Sequence, residues 1–142
     1  MSIDPNNPVV ALCAAGMAIE GDAPAARALF EQAWEARQDD YDASIAAHFL
    51  ARHQPTVESR LHWNVLAAQH AEAVTDDRVK ELRASLFLNL ADAHLAAGNS
   101  SDARAAAARA SASIDDLPIG GYRTFVEGGI ERLHRRLTEA GS

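Results

Sequence analysis

The sequence predicts an all-α protein of about seven helices, arranged as antiparallel hairpins with a last helix capping the array. Three observations predict it. Alanine-rich stretches carrying Leu, Glu and Arg run through most of the chain, and alanine loses no side-chain entropy in a helix. Apolar residues recur three and four apart within those stretches. The breaks between them are short and rich in caps and turn formers, so neighbouring helices must lie antiparallel. Aromatic residues are only 6% of the 142, which is low for an all-β protein.

The elements follow in chain order. Asn7-Pro8 predicts the first start, because Asn caps well and proline at the first helical position forfeits no hydrogen bond. Val9, Leu12, Cys13, Met17 and Ile19 then form its apolar series. Gly21-Asp22 ends that helix and caps the next, with Pro24 in the new first turn. Ala26, Leu29, Phe30, Ala33 and Trp34 mark the second helix. Asp39-Asp40 caps a third, carrying Ile45, Phe49 and Leu50. His53-Gln54-Pro55-Thr56 breaks the chain, and Thr56 caps a fourth helix with Leu61, Val65, Leu66 and Ala68, Trp63 beside them. After Thr75-Asp76-Asp77 comes a long helix with Val79, Leu82, Leu86, Leu90 and His94 on one face. Phe87, Leu88 and Leu95 widen its apolar surface, so it should be covered on two sides. Gly98-Asn99 closes it, and Asn99 or Ser100 caps an alanine-rich helix through Ala112. Asp115 to Pro118 and Gly120-Gly121 make the last break. The seventh helix carries Tyr122, Phe125, Val126, Ile130, Leu133 and Leu137.

Composition excludes several function classes. The formal net charge is −7, which opposes binding to nucleic acid, since that needs clustered Lys and Arg against phosphates. No apolar run reaches the ~20 residues that a membrane helix needs. Met1-Ser2-Ile3-Asp4-Pro5 has no basic leader character. The single cysteine, Cys13, sits in an apolar run and reads as a buried thiol. We therefore expect a cytoplasmic protein with no nucleic-acid or membrane partner.

Two segments carry a family resemblance. Gly21-Asp22-Ala23-Pro24-Ala25-Ala26-Arg27-Ala28-Leu29-Phe30-Glu31-Gln32-Ala33 resembles the second half of a tetratricopeptide repeat, with Ala26, Phe30 and Ala33 at the small, bulky and small positions after the turn glycine. Gly98-Asn99-Ser100-Ser101-Asp102-Ala103-Arg104, running on to Ala107 and Ala110, resembles it too. The family period of ~34 residues carries Ala26, Phe30 and Ala33 onto Arg60, Asn64 and Ala67. The third copy is displaced by extra residues around Thr75 to Arg83. The stretches from His48 to Asp77 and from Asn89 to Gly98 are similar to segments of bacterial tetratricopeptide proteins. The resemblance implies a single domain over residues 1–142, a short right-handed superhelix of hairpins at about 8–38, 41–74 and 77–113, with a capping helix at about 121–139. The sequence departs from the pattern at Val10 and Ser44, where an early aromatic is expected, and Phe87 alone keeps it. It departs again at His48 and Arg60, where small residues are expected.

The resemblance also implies a function. In that family the first helices of successive hairpins line a concave groove that holds a peptide. Projected here, the groove holds Phe49, Arg52 and His53, with Asn89 and Asp92 from the third hairpin. The ordinary alternative is a solvated face with an Arg52–Asp92 ion pair of little energetic value. The family's clamp for a terminal carboxylate is rejected, because Ala11, Ala15 and Ala46 stand at parts of it.

No catalytic constellation is visible. His48 and His53 diverge by about 140° on a helix, and His62 and His70 lie two turns apart. There is no HExxH or CxxC pattern and no phosphate loop, so no metal or cofactor is expected. Gly98-Asn99-Ser100-Ser101 opens a helix and reads as an ordinary turn rather than an anion site. Gly128-Gly129 inside a helix reads as close packing or a kink, otherwise as a place where a partner approaches. The leading expectation is a non-catalytic scaffold that binds a protein or peptide on its concave face. One alternative is a small-molecule sensor or enzyme with a polar pocket around His48, Arg60, Trp63 and Asn64. The other is a self-associating module, a homodimer in its simplest form.

Overall fold

A computed structural model describes residues 6–140. The stretch from Met1 to Pro5, read above for leader character, lies outside the described residues. Among them are seven α-helices and no strand: α1 (Pro8–Ala18), α2 (Ala23–Glu35), α3 (Asp40–Ala51), α4 (Val57–Ala73), α5 (Lys80–Ala96), α6 (Ser100–Ala112) and α7 (Gly121–Ala140). Short 3-10 turns at Asp77–Val79 and Ile114–Asp116 precede α5 and α7. No described helix is long and apolar enough to cross a membrane. The chain divides into two compact units, Ser2–Asp76 and Asp77–Ser142.

The caps fall where residue chemistry places them. Asn7 Oδ1 accepts from the amides of Val9 and Val10 at 2.9 and 3.4 Å. Asp22 caps α2 through the Ala25 amide, and Asp39 caps α3 through the Asp42 amide at 2.8 Å. Thr56 and Ser59 close a reciprocal capping box on α4, which satisfies amides that a helix start leaves unpaired. Asn99 holds the cap position of α6 but makes no side-chain cap bond; its amide nitrogen turns to His94 Nδ1 at 3.3 Å instead. Gly98 ends α5 with a φ of +83°, the left-handed conformation that glycine adopts without penalty.

In the first unit α1 and α2 form one hairpin and α3 and α4 another, with α3 packed against α1, α2 and α4. Every residue of α3 from Asp42 onward is buried. The core centres on Phe30, stacked on Phe49 with ring centroids 5.3 Å apart. Gly16 lies under the Phe30 ring, where a Cβ would overlap it. Asp42 is a buried carboxylate that joins the two hairpins. It accepts from Asn7 Nδ2 at 2.8 Å and from the Gln38 amide at 3.0 Å, as a buried charge requires.

In the second unit α5 and α6 form a hairpin, and α7 packs on both. Its core is Ala91, Ala103, Ala106 and Ala107 with Leu133 and Leu137. Alanines at the crossing let two helix backbones approach closely. Arg104 Nη2 donates to the Leu137 carbonyl at 3.0 Å, and Arg136 pairs with Asp92. Arg123 ties the loop before α7 to its first turn, donating to Asp115 and to the Leu117 carbonyl.

Several expected core positions are displaced. Met17 and Ile19 are 39% and 40% exposed; α1 buries Val9, Val10, Cys13 and Gly16 instead. On α4 the buried stripe is Asn64, Ala67, Ala68 and Ala71, while Leu61, Val65 and Leu66 are only half-buried. That stripe includes two of the three positions 34 residues beyond Ala26, Phe30 and Ala33, while the third, Arg60, is half-buried. On α7 Val126, Ile130, Leu133 and Leu137 are buried, but Phe125 is 70% exposed and Tyr122 faces outward. Val79 is buried in the turn before α5 rather than on the helix.

The helical glycines differ in a way that is measurable. Gly129 is held by packing, because a Cβ there would lie 2.8 Å from Leu88 Cδ2. Gly128 meets only the flexible end of Arg132, at 3.4 Å. Gly16→Ala should destabilise the fold by about 1–3 kcal/mol, since overpacking against a fixed ring outweighs the ~1 kcal/mol of helix propensity gained. Gly128→Ala should stabilise by about 0.5–1 kcal/mol. Urea denaturation of the two variants checks both signs.

Candidate functional site

Four of the five residues projected onto a concave groove, Phe49, Arg52, His53 and Asp92, make contacts of their own within the chain. Phe49 is 3% exposed and stacks on Phe30, so its ring belongs to the core. Arg52 and His53 both turn to one carboxylate, that of Glu20 in the α1–α2 turn. Arg52 Nη2 meets Glu20 Oε1 at 3.1 Å and His53 Nε2 meets Oε2 at 2.9 Å. Those contacts fasten the first hairpin to the end of α3. Asn89 and Asp92 belong to the second unit, where Asp92 pairs with Arg136. Arg52 and Asp92 each pair within their own unit.

The polar residues of the middle hairpin are set deep. His48 is 4% and Asn64 3% exposed. Asn64 Nδ2 donates to the Arg60 carbonyl one turn back at 3.0 Å. His48 Nδ1, Arg60 Nε and Asn64 Oδ1 are buried without a hydrogen-bond partner among the described residues. Burial, and after it the Arg52 cation one turn along α3, lowers the His48 pKa from 6.5 to about 4. Trp63 packs edge-on to Trp34, with centroids 5.0 Å apart and rings at 89°.

The two tryptophans lead to a surface that sequence reading had not assembled. An open groove of about 810 Å³ runs along α2, floored by Leu50 and walled by Trp34 and Trp63, with Gln54 at one end. Arg27, Glu31 and Glu35 form its polar rim. Arg27 and Glu31 pair across one turn at 3.0 Å. The groove is built mainly from α2, with Leu50 from α3 and Trp63 from α4, whereas the resemblance points to the first helices of the hairpins alone. A more polar cleft of about 580 Å³ shares Glu35 with it and is lined by Arg37, Asp39, Asp40 and His70. There His70 Nδ1 and Asp40 Oδ1 stand 2.8 Å apart, and the His70 ring meets Trp34 edge-on at 6.1 Å. Arg37 lays its guanidinium over the Trp34 ring at 3.9 Å and donates to the Trp34 carbonyl at 2.7 Å. The sequence signal for this surface is phase. Trp34 follows the buried Ala33 and Trp63 precedes the buried Asn64, so each ring sits on the flank of a buried stripe.

Cys13 is buried, and burial with the nearby Asp42 charge pushes its pKa up to about 12. A thiol so placed is a poor nucleophile. Among the described residues no three His, Cys, Asp or Glu side chains come together as metal ligands. Compared with protein-family models, with characterised proteins and with solved structures, the chain matches none.

Two outcomes follow from the buried titratable groups. The His48 ring titrates near 6.5 when unfolded and near 4 when folded, so the unfolded chain binds the extra proton between those values. Stability from this group is full above the unfolded value and is lost as pH falls toward the folded one. The loss from pH 7 to pH 5 should be about 2 kcal/mol, and His48→Gln should remove that part of the slope in urea titrations at the two pH values. Cys13 should resist alkylation in the native chain and react once the chain is unfolded in urea, as mass spectrometry would record.

Proposed function

We propose that this chain is a non-catalytic protein- or peptide-binding scaffold, acting in the cytoplasm, with the groove between α2 and α4 as its binding surface. The observation that supports it is the pair of half-buried tryptophans on one open, apolar-floored groove. Tryptophan supplies a large contact area with little side-chain entropy to lose, and it dominates interface energetics. The polar rim of Arg27, Glu31, Glu35 and Gln54 suits an interface whose edge stays wet. The resemblance to tetratricopeptide repeats favours the same function, although it places the groove on the first helices of the hairpins. Assigning binding from a fold is analogy; the tryptophan groove gives the proposal a surface that can be mutated.

Peptides selected against the folded chain from a random display library should lose roughly tenfold or more in affinity on Trp34→Ala or Trp63→Ala. Phe125→Ala, at an exposed aromatic in the second unit, should leave them unchanged. Circular dichroism of each variant separates lost binding from lost fold. Selected peptides indifferent to both tryptophans would defeat the proposal, as would the failure of any peptide to bind.

A further inference from the structure

The groove carries information about the charge of what it holds. Its rim and the adjoining cleft present four carboxylates, Glu31, Glu35, Asp39 and Asp40, against two arginines. Both arginines are engaged, Arg27 with Glu31 and Arg37 with Trp34. Three of the four acids have a structural use. Glu31 pairs with Arg27, Asp39 caps α3, and Asp40 faces His70. Glu35 has none: it makes no ion pair among the described residues. It also stands in the last turn of α2, where the negative end of the helix dipole disfavours a carboxylate. Glu35 lines both the tryptophan groove and the polar cleft, so the unneutralised charge stands beside the aromatic walls.

Arg37 shows what those walls accept. It is exposed, yet its guanidinium lies 3.9 Å from the centre of the Trp34 ring. A cation over an aromatic face is attracted by the ring quadrupole, most strongly on tryptophan. We propose that the partner is a basic segment which places an arginine side chain on Trp34, in the position Arg37 holds in the free chain, with Glu35 as its counter-ion. This rests on the reading of the groove as a peptide-binding surface and adds the chemical class of the peptide. The net charge of −7 favours the same partner at long range, since opposite charge speeds encounter at low salt. Arg37, which lines the adjoining cleft and not the groove itself, then acts as an internal competitor for the Trp34 ring it covers, and leaves when a better-placed guanidinium arrives.

The two tryptophans are the only ones in the chain and both line the groove, so intrinsic fluorescence reports on the site directly. The probes are a short peptide alternating leucine and arginine, and the same peptide with citrulline at each arginine, which keeps the planar shape but removes the charge and replaces one donating nitrogen with a carbonyl acceptor. The arginine peptide should bind roughly tenfold or more tighter than the citrulline peptide at low salt, and the preference should shrink in ~0.5 M salt. Glu35→Gln should reduce the preference several-fold. Arg37→Ala should tighten the arginine peptide by removing its competitor. Equal binding of the two peptides would overturn the cation inference and leave the peptide-binding reading standing. Binding of neither would overturn both. An unchanged preference in Glu35→Gln would show that the charge discrimination arises elsewhere.

Discussion

The first unit depends on one contact, the Phe30 ring lying over Gly16 and stacked on Phe49. Three helices meet there: Gly16 from α1, Phe30 from α2 and Phe49 from α3. The absence of a side chain at Gly16 lets the ring descend until it is fully buried, and the stack then fixes how far α3 can slide along α2. His53, one turn beyond Phe49, continues the stack with its ring centroid 5.4 Å from that of Phe30. The same imidazole reaches Glu20, so the turn that ends α1 is tied to the residues that end α3. Aromatic pairs contribute about 0.5–1.5 kcal/mol beyond their area. Their larger effect here is on register, because a ring seated over a glycine admits no neighbouring position.

That register builds the groove. Trp34 lies one turn after Phe30, and Leu50 follows Phe49, so fixing the buried pair sets the wall and the floor together. Trp63 arrives from α4, whose placement against α3 is set by small residues and by the contact of His70 with Asp40 at 2.8 Å. The groove is thus a by-product of core geometry rather than an independent feature. Its polar rim can be changed without cost to the core, since Arg27, Glu31 and Glu35 lie off the buried stripe of α2.

Helix number, caps and turns were legible in the sequence because each depends on local chemistry: Asn7 before a proline, Thr56 at a break, Gly98 at a left-handed turn. The phase of individual helices was less so. On α4 the leucines and Val65 suggested one face, yet the alanines and Asn64 took the interior. Close crossing rewards small volume over hydrophobicity, and a periodicity weighted by hydrophobicity cannot register that. The site was the least legible part. Projecting the repeat family onto the chain places Phe49 in a groove, whereas α3 packs against three neighbours and the Phe49 ring is buried in the core. Glu20 drew no notice, since a single acid in a turn carries no pattern; only its meeting with Arg52 and His53 reveals its use.

The two kinds of polar group in the first unit illustrate how burial decides role. His48 and Asn64 are enclosed, and the imidazole responds by giving up its proton affinity: a charged ring there would face desolvation and the Arg52 cation together. Neutral and packed edge-on to Phe49 at 5.3 Å, it behaves as a core ring with polar edges. Glu35 and Arg37 are in the opposite situation. Both are exposed, so neither is forced to find a partner, and exposed ion pairs contribute little. Arg37 nevertheless chooses the face of Trp34 over a nearby carboxylate. On a surface where water screens charge, an aromatic plane retains its attraction because the planar guanidinium is weakly hydrated and stacks well. The selectivity proposed for this groove therefore belongs first to the tryptophan and only second to the acids around it.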